Sequence, residues 1–248
     1  MAKFCKYAIM LSMTSDEIQK LQKEVRLLYH VAETVHSLEL EEVLKEIVSV
    51  VDDVSQADSV LVYVLDPNKR ELVLRSSKNP HTELLRKITM KMGEGITGWV
   101  ASQKQPVAIA KGASTDSRFK YFRNLPEDKF EAFLSVPVLS KRGVVGVINV
   151  QHKAPHAHTH MEINLLAAIG KLVGGVVENA LLIEETLSLK EALELRKVVE
   201  KAKGIIMKRR NIGEDEAYAI LQKESMDTPK SLKEVAEAIL LIDKLHFQ

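Results

Sequence analysis

The sequence has very little cysteine, with Cys5 as the only one in 248 residues. A single thiol excludes an internal disulfide framework and any metal site built on several thiolates, which suits a reducing compartment. An excess of charge of either sign is also missing, because 35 Lys and Arg nearly balance 34 Asp and Glu, leaving a net charge of +1. Any attraction to nucleic acid must therefore come from a local cluster of basic residues.

Long hydrophobic runs are missing near the N-terminus. One apolar run extends from Tyr7 to Met13, which is too short for the core of a secretory signal and far too short to span a bilayer. We therefore predict a cytoplasmic protein without a membrane partner, with residues 1–13 as an N-terminal tail. With 46% hydrophobic residues, the rest of the chain is expected to fold into one large domain or two smaller ones.

Two amphipathic helices are predicted next. Residues 14–35 open with "TSDE", which has the spacing of a capping box, and continue with a heptad pattern. Its apolar positions are Ile18, Leu21, Val25, Leu28, Ala32 and Val35. This helix either packs on its own domain or pairs with the same helix of a second copy. A second stripe with the helical period consists of Leu40, Val43, Leu44, Ile47 and Val51.

Short segments with strand patterns follow. "SVLVYVLD" and "ELVLRSSK" are joined by the turn-rich "PNKR", and "AFLSVPVLS" and "GVVGVINVQ" form the strongest hairpin signal in the chain. "KITMKM" and "PVAIA" are shorter strand candidates. The hairpin spacing indicates strand pairing of antiparallel character.

Three glycines in "GEGITG", Gly93, Gly95 and Gly98, have the spacing of a dinucleotide-binding loop. That kind of site needs a parallel βαβ unit with an acidic residue about twenty positions further on, and the surrounding strand pattern is antiparallel. The preferred interpretation is a tight turn into a helix that carries Trp99 toward the sheet.

Four histidines, His152, His156, His158 and His160, lie within the nine residues "HKAPHAHTH". No carboxylate or thiolate stands in local ligand spacing, and "THME" is better explained as a capping box closed by Glu162. We therefore predict no functional metal site and no cofactor. No Ser/His/Asp grouping has a supporting nucleophile context, so no enzyme activity is predicted.

A proline-free stretch from Thr159 onward predicts a helix far longer than the usual ~11–12 residues. Its apolar seam runs through Val173, Val177, Ala180, Ile183 and Leu187, then shifts register to Leu189, Ala192, Leu195 and Val199, as a stutter would. A coiled coil between two copies fits this pattern, and so does a single helix that bridges two domains. Residues 184–197 are assigned to a coiled-coil linker helix.

Three short helices are predicted for residues 198–248. The second begins with the acidic "EDE", where helix N-termini favour negative charge, and the third begins with a capping box from Ser231 to Glu234. The predicted core of this unit consists of Val198, Ala202, Ile206, Ala217, Ile220, Leu221, Leu232, Val235, Ala236 and Ile239.

The first of these helices concentrates positive charge. Between Arg196 and Asn211, seven Lys and Arg residues accompany one acidic residue, Glu200, for a local charge of +6 in a nearly neutral chain. Gly204 and Met207 fall on the side opposite the apolar face, where an exposed glycine costs roughly 1 kcal/mol relative to alanine. The cluster favours a bound polyanion. The alternative is a solvated face whose glycine admits a neighbouring helix.

Residues 198–240 closely resemble the ANTAR domain, a three-helix RNA-binding module of bacterial transcription antiterminators. The resemblance rests on the order and spacing of Ala202, Lys203, Gly204, Met207, Ala217, Leu221, Ser225, Met226, Val235 and Ala236. Residues 36–183 are similar to a GAF domain, through "GEGITGWVASQKQPVAIA", "SRF", "SVPVLS", "GVVGVINVQ" and "HTHMEINLLAAIG". Together they imply an α+β fold, with a six-stranded antiparallel sheet and flanking helices, a long coiled-coil helix and a C-terminal three-helix domain.

The ANTAR resemblance implies binding of paired stem-loops in nascent leader RNA, which prevents an overlapping terminator hairpin from forming. The loop bases would be read while Lys and Arg hold the phosphates, and two hairpins suit a homodimer. The RNA-binding residues implied on this sequence are Lys201, Lys203, Gly204, Met207, Lys208, Arg209, Arg210, Lys223, Lys230 and Lys233.

The GAF resemblance implies a small-molecule effector or a partner protein that controls the ANTAR domain. The sequence lacks the cysteines of the bilin-binding and sulfoxide-reductase branches and a cyclic-nucleotide signature, so the effector is not specified. Tyr63, Met90, Trp99 and Phe133 are candidate pocket residues and equally good core residues. The alternatives for the whole chain are a DNA-binding regulator with a helix-turn-helix-like C-terminal domain and a purely dimerising signalling module.

Overall fold

The structure, a computed structural model, describes residues 39–79, 83–122, 125 and 129–245. The predictions for the tail at 1–13 and the heptad helix at 14–35 lie outside the described residues. The described elements belong to two compact units that divide after Ile183. In chain order they are α1 (Leu40–Ser55), β1 (Ser59–Asp66), β2 (Glu71–Ser77), β3 (Thr89–Lys91), α2 (Gly95–Gln103), β4 (Val107–Ile109), a 3-10 turn (Ala113–Thr115), β5 (Ala132–Ser140), β6 (Gly143–His152), α3 (His160–Arg210), α4 (Glu214–Asp227) and α5 (Leu232–Leu245).

The strands of the first unit form one six-stranded sheet in the order β3-β2-β1-β6-β5-β4, with every neighbouring pair antiparallel. The α+β prediction and both predicted hairpins, β1–β2 and β5–β6, are confirmed. "GEGITG" therefore does not belong to a parallel βαβ unit. Gly93, at φ +85°, instead makes a tight turn in which its N–H donates to the carbonyl of Gly98 at 2.7 Å, just inside α2.

Strand alternation sends side chains to two cores, one on each face of the sheet. On one face, Val62 packs with α1 residues such as Ile47 and with α3 residues such as Ile169. On the other face, Leu61 packs with α2 residues such as Val100. The second face also carries the predicted pocket, described below.

Two adjacent glycines of α3 stand in contrasting surroundings. A Cβ at Gly174 would collide with the carbonyl oxygen of Leu139 in β5, whereas a Cβ at Gly175 would meet nothing within 4 Å. We expect Gly174→Ala to lower the free energy of unfolding by about 2 kcal/mol, because the helix must move off the sheet. Gly175→Ala should instead raise it, by up to about 1 kcal/mol, through better helix propensity. Urea denaturation measures both, and equal effects would contradict the close contact between helix and sheet.

The N-terminal part of α3 is strongly apolar. By length and composition alone α3 could cross a membrane, since its most apolar 18-residue window has a mean hydropathy of 1.7, with 39% of that window buried within the protein. Leu166, Ile169 and Val173 of this helix are nevertheless core residues beneath the sheet. Packing on the sheet is thus a sufficient reason for the apolar stretch.

The same packing corrects part of the predicted coiled-coil seam. Val173, Val177 and Ala180 are buried in the first unit, so they are not available to a partner helix. Further along α3, Leu195 and Val199 pack within the second unit. The leucines left exposed on α3 are Leu172, Leu182, Leu187, Leu189 and Leu193. The long helix itself is confirmed.

The second unit packs the C-terminal turns of α3 with α4 and α5. Its core contains all the predicted residues, and Leu195, Val199, Met207 and Ile212 join them. The buried members are Val199, Ala202, Ile206, Ala217, Leu221, Val235 and Ala236, and the others are partly buried against these. The capping box of α5 is present, because the N–H of Glu234 donates to Ser231 Oγ at 3.3 Å and the N–H of Ser231 donates to Glu234 Oε2 at 2.7 Å. This small core fixes which side of α3 faces solvent.

Candidate nucleic-acid interface

The C-terminal turns of α3 present exposed basic side chains outside the buried core. Ala202 and Ile206 are turned inward, while Lys201, Lys208 and Arg210 are exposed. None of these three basic residues forms a salt bridge with another residue of the described chain. Exposed cations without acidic partners are free to contact phosphates at little cost in desolvation.

Gly204 lines a groove formed by α3 and α5. The groove has a volume of about 600 Å³, and its other lining residues are Lys201, Ile205, Lys208, Arg209, Leu240 and Asp243. A Cβ at Gly204 would meet nothing within 4 Å. Within the described chain, therefore, no packed neighbour requires glycine at this position, and the surrounding charge is mainly positive.

Lys203, one of the residues that the resemblance implies for RNA binding, does not share this exposure. The residue is 7% exposed, and its Nζ donates to Glu214 Oε1 at 2.6 Å and lies 2.9 Å from Glu200 Oε1. Hydrogen bonds to Glu214 and then to Glu200 raise the pKa of Lys203 above its ordinary value. The side chain thus connects α3 to the first turn of α4. Glu200 stands three residues before Lys203, a spacing from which the first ion pair could have been predicted.

The other predicted basic residues divide into paired and unpaired side chains. Arg209 donates to Asp243 Oδ1 through Nε at 3.1 Å and through an η-nitrogen at 2.6 Å. Lys233 Nζ lies 3.9 Å from Glu237. Lys223 and Lys230 are exposed and form no salt bridge within the described residues. Five predicted residues are therefore unpaired, namely Lys201, Lys208, Arg210, Lys223 and Lys230.

Met207 is half-buried rather than solvated, so its expected position on the wet side of α3 is wrong. The chain turns sharply after Arg210, with Asn211 at φ +54°, and the N–H of Ile212 donates to the carbonyl of Met207 at 3.3 Å. Met207 and Ile212 both pack against the core of the second unit. A helical wheel of α3 cannot include this turn, which is the physical reason for the error.

A second cleft, which sequence reasoning missed, lies between the three helices of this unit. It has a volume of about 390 Å³, with Ile206 and Val235 among its apolar walls and Arg209, Arg210 and Lys230 among its charged residues. Apolar walls with basic groups nearby suit an unstacked base and its adjacent phosphates. No sequence signal could have located it, because its walls come from helices that are distant along the chain.

The predicted pocket of the first unit is almost filled. Tyr63, Met90 and Phe133 line a cavity of about 20 Å³, whereas Trp99 is not among its lining residues. Trp99 instead lies under Arg118, whose guanidinium carbon is 5.0 Å from the ring centroid. The cavity has room for about one water molecule, and drug-sized ligands need on the order of 300–1,000 Å³. In this conformation the site is closed to such ligands.

Buried polar groups nevertheless form part of the cavity wall. Ser135 Oγ donates to Asn149 Oδ1 at 2.7 Å, and Asn149 Nδ2 donates to Thr97 Oγ1 at 2.8 Å. Thr97 and Asn149 both line the cavity, together with Lys120, whose Nζ lies 2.8 Å from Glu94 Oε1. The wall can thus offer hydrogen bonds as well as apolar contact.

Comparison with known protein families assigns both units. Residues 39–177 match the GAF domain, and residues 187–240 match the ANTAR domain. Both are regulatory rather than catalytic domains. The ANTAR match contains the basic turns of α3 with Gly204, and every lining residue of the groove and of the cleft except Asp243 and Ile242.

Relatives with known sequences resemble a part of this chain. A phosphoenolpyruvate-dependent phosphotransferase system protein of Escherichia coli (strain K12) is 32% identical over 81 residues, which are 33% of this chain and 11% of the relative. The corresponding protein of Salmonella typhimurium is 31% identical over 81 residues, again 33% of this chain and 11% of its own length. The chain thus spans about a tenth of the length of these relatives.

Solved structures resemble the first unit. The GAF domain of an Acinetobacter phosphoenolpyruvate-protein phosphotransferase has a TM-score of 0.58 and 25% identity, covering 66% of this chain and 98% of that one. The GAF domain of a Coxiella burnetii phosphoenolpyruvate-protein phosphotransferase has a TM-score of 0.56 and 21% identity, and the likeness covers 68% of this chain and 96% of that one. A free methionine-R-sulfoxide reductase of Neisseria meningitidis has a TM-score of 0.54 and 16% identity, and the likeness covers 63% of this chain and 89% of that one. The last two show likeness of fold alone.

The reductase likeness does not extend to thiol chemistry, since residues 39–177 of this chain contain no cysteine. The match of the GAF model over more than half of the chain, the antiparallel sheet and the ANTAR match that follows it agree on one architecture. The chain belongs to the GAF family, and its GAF domain is followed by an ANTAR domain.

Proposed function

We propose that this protein is a cytoplasmic bacterial antitermination regulator that binds leader RNA through its ANTAR domain under the control of its GAF domain. The observation that carries this proposal is the set of unpaired basic side chains at the Gly204 groove and the neighbouring cleft. Lys201, Lys208 and Arg210 lie within a domain whose family binds RNA, and they form no salt bridge among the described residues. Neither this interface nor the GAF cavity is proposed to catalyse a reaction.

Binding at this interface has two parts. Lys201, Lys208, Arg210, Lys223 and Lys230 hold phosphates, while an unstacked loop base enters the groove beside Gly204 or the adjacent apolar cleft. Lys203 holds α3 against α4 through Glu214, and Arg209 holds α3 against α5 through Asp243. These two side chains position the helices and are not assigned to phosphates. Occupying two neighbouring hairpins prevents the overlapping terminator hairpin from forming.

Two hairpins require two ANTAR domains, and α3 supplies a surface for pairing two copies. Leu189 and Leu193 are exposed and are spaced by four residues, which is one of the two spacings of a heptad seam. Leu187, although equally exposed, lies on the opposite side of the helix. We assign the homodimer contact to this two-leucine seam, with residues 14–35 as a second candidate segment.

The GAF domain is proposed to take a small-molecule effector or a partner protein. Its cavity of about 20 Å³ must open before a metabolite can enter, and such opening is a change that α3 could transmit along its length. A thermal-shift screen with small polar metabolites tests this part. If no compound raises the melting temperature, the GAF domain acts through a partner protein or through dimerisation alone.

The function is tested by selection followed by gel shift. An RNA pool with two stem-loops and randomised loops is selected on the full-length protein, and the winning RNA is compared with duplex DNA of equal charge. We expect preference for the two-hairpin RNA, with a slope of log affinity against log salt of roughly −3.5 to −4.5 for five phosphate contacts. Preference for duplex DNA would instead support the helix-turn-helix-like alternative.

Gly204→Ala separates RNA contact from folding. Because a Cβ at this position meets nothing in the described chain, the variant should fold normally and gain about 1 kcal/mol in unfolding free energy. The added methyl would narrow the groove at the RNA, so we expect affinity for the selected RNA to fall about tenfold. A gel shift measures the RNA affinity of the variant, and a thermal denaturation curve measures its stability. If the affinity is unchanged, Gly204 is not part of the RNA interface.

A further inference from the structure

Three histidines converge where β6 ends, on a part of the GAF domain separate from the closed cavity. His152 is the last residue of β6, and His156 and His158 lie in the segment that leads to α3. The ring centroids of His152 and His156 are 4.1 Å apart, those of His156 and His158 are 4.8 Å apart, and those of His152 and His158 are 5.5 Å apart. One ring nitrogen from each residue lies within 4.8 Å of the other two.

Backbone hydrogen bonds hold this segment in place. The N–H of His156 donates to the carbonyl of Ala110 at 2.9 Å, and the carbonyl of His152 accepts from Glu131 at 2.9 Å. The N–H of Lys153 donates to Asp58 Oδ2 at 2.8 Å. The rings therefore project from a backbone that is fixed on both sides of the cluster.

Two of the ring nitrogens are buried without a hydrogen-bond partner. Nε2 of His152 and Nε2 of His158 are inaccessible to solvent and pair with no group in the described residues, and His152 is only 9% exposed. Leaving a buried polar atom unsatisfied costs about 1–3 kcal/mol, so such atoms in native proteins call for an explanation. A metal ion between the rings would satisfy both nitrogens at once.

Burial and nearby charges act on two of the three rings. Burial, followed by the nearby charge of His156, lowers the pKa of His158 to about 4 and lowers the pKa of His152. Asp58 and Glu162 face the cluster with negative charge, and Lys78 faces it with positive charge.

Glu162 completes the arrangement from the first turn of α3. Its Oε2 accepts the N–H of Thr159 at 2.6 Å, which confirms the predicted capping box, and its Oε1 lies 3.1 Å from Nε2 of His156. When Nε2 donates to this carboxylate, Nδ1 of His156 is left with a free lone pair. A carboxylate behind a histidine ring is the usual outer support of a metal-bound histidine. One carboxylate thus serves the helix cap and orients the third ring.

We propose that His152, His156 and His158 form a binding site for one Zn²⁺ ion, with Glu162 orienting His156. Three imidazoles leave a fourth tetrahedral position for water or an effector group. Ligand nitrogens around tetrahedral zinc stand about 3.3 Å apart, given a Zn–N distance of about 2.0–2.1 Å, so ring rotations must close the widest gap by roughly 1.5 Å. Bound metal would fix the segment that leads directly into α3.

The test uses untagged full-length protein stripped with a chelator and titrated with Zn²⁺ by calorimetry. We expect one ion per chain in the wild type, and at least a hundredfold weaker binding in His156→Ala and in His158→Ala. Glu162→Gln keeps a capping-box residue, yet should weaken binding by about tenfold to a hundredfold through loss of the carboxylate. His160→Ala is the matched control, because it removes a neighbouring histidine that is not part of the cluster.

Thermal melting of the metal-free variants shows whether each one is folded. His156→Ala is expected to fold, because 34% of the His156 side chain is exposed. Zn²⁺ should raise the melting temperature of the wild type and of His160→Ala, but not of His158→Ala. X-ray absorption of the loaded protein should show three imidazole ligands. Binding that is absent in the wild type, equally weak in every variant, or lost only in His160→Ala would overturn the proposal.

Discussion

Removing the charges of Lys201 and Lys208 together, by Lys201→Gln and Lys208→Gln, is expected to weaken binding of the selected two-hairpin RNA about a hundredfold. Both side chains are exposed on the groove that contains Gly204. Each lost contact to a phosphate is worth about 1.4 kcal/mol or more, which is a factor of ten. The measurement is a gel shift at several salt concentrations.

The salt dependence gives this prediction a second, independent readout. The slope of log affinity against log salt should become shallower by about 1.4–1.8, because two phosphate contacts are lost. Lys69→Gln with Lys141→Gln is the control, since it removes two exposed charges from the GAF domain. If the control pair weakens binding as much, the effect belongs to the net charge of the chain and the interface is wrongly placed.

Converting Leu189 and Leu193 to glutamate is expected to dissociate the homodimer, raising its dissociation constant by at least a thousandfold. The two leucines are 64% and 53% exposed in the single chain, so the substitutions leave its own core intact. In a dimer they would bury four side chains, each worth about 1.5–3 kcal/mol, and glutamates facing each other would repel. Sedimentation equilibrium measures the change directly.

Leu187→Glu is the matched control for this seam. Leu187 is 54% exposed on the same helix, but it lies on the opposite side from the seam and should leave the dimer unchanged. The monomeric variant should also lose its preference for RNA with two hairpins over RNA with one, because that preference depends on linking two sites. A dimer that survives both glutamates would place the contact in residues 14–35 instead.

The individual strands and the first residues of the helices could be predicted from the sequence, because each depends on local chemistry. Alternating residues in "GVVGVINVQ" predict a strand, and Thr159 with Glu162 predicts a helix start, whatever the rest of the chain does. Both predictions are confirmed. The same holds for the turn at Gly93, where only the nearby backbone is involved.

Side-chain partners were predicted less well, because they depend on residues far apart in the sequence. Arg209 is neutralised by Asp243, 34 positions later, and Met207 packs against the core of the second unit. The histidines were close in sequence, yet the burial of two of their nitrogens depends on contacts beyond the motif itself.

The sequence by itself determined the strand hairpins, the long helix and the region in which positive charge is concentrated, because these follow from periodicity, spacing and composition. Its motifs were also sufficient to show the resemblance to the GAF and ANTAR families, and with it the α+β class. Only the tertiary structure decided which charges are unpaired, which leucines of α3 remain exposed and which histidines meet. The reason is that neutralisation and burial are set by neighbours in space. A hydrophobic seam is an interface only where the protein's own core has not already covered it, as at Leu189 and not at Val177.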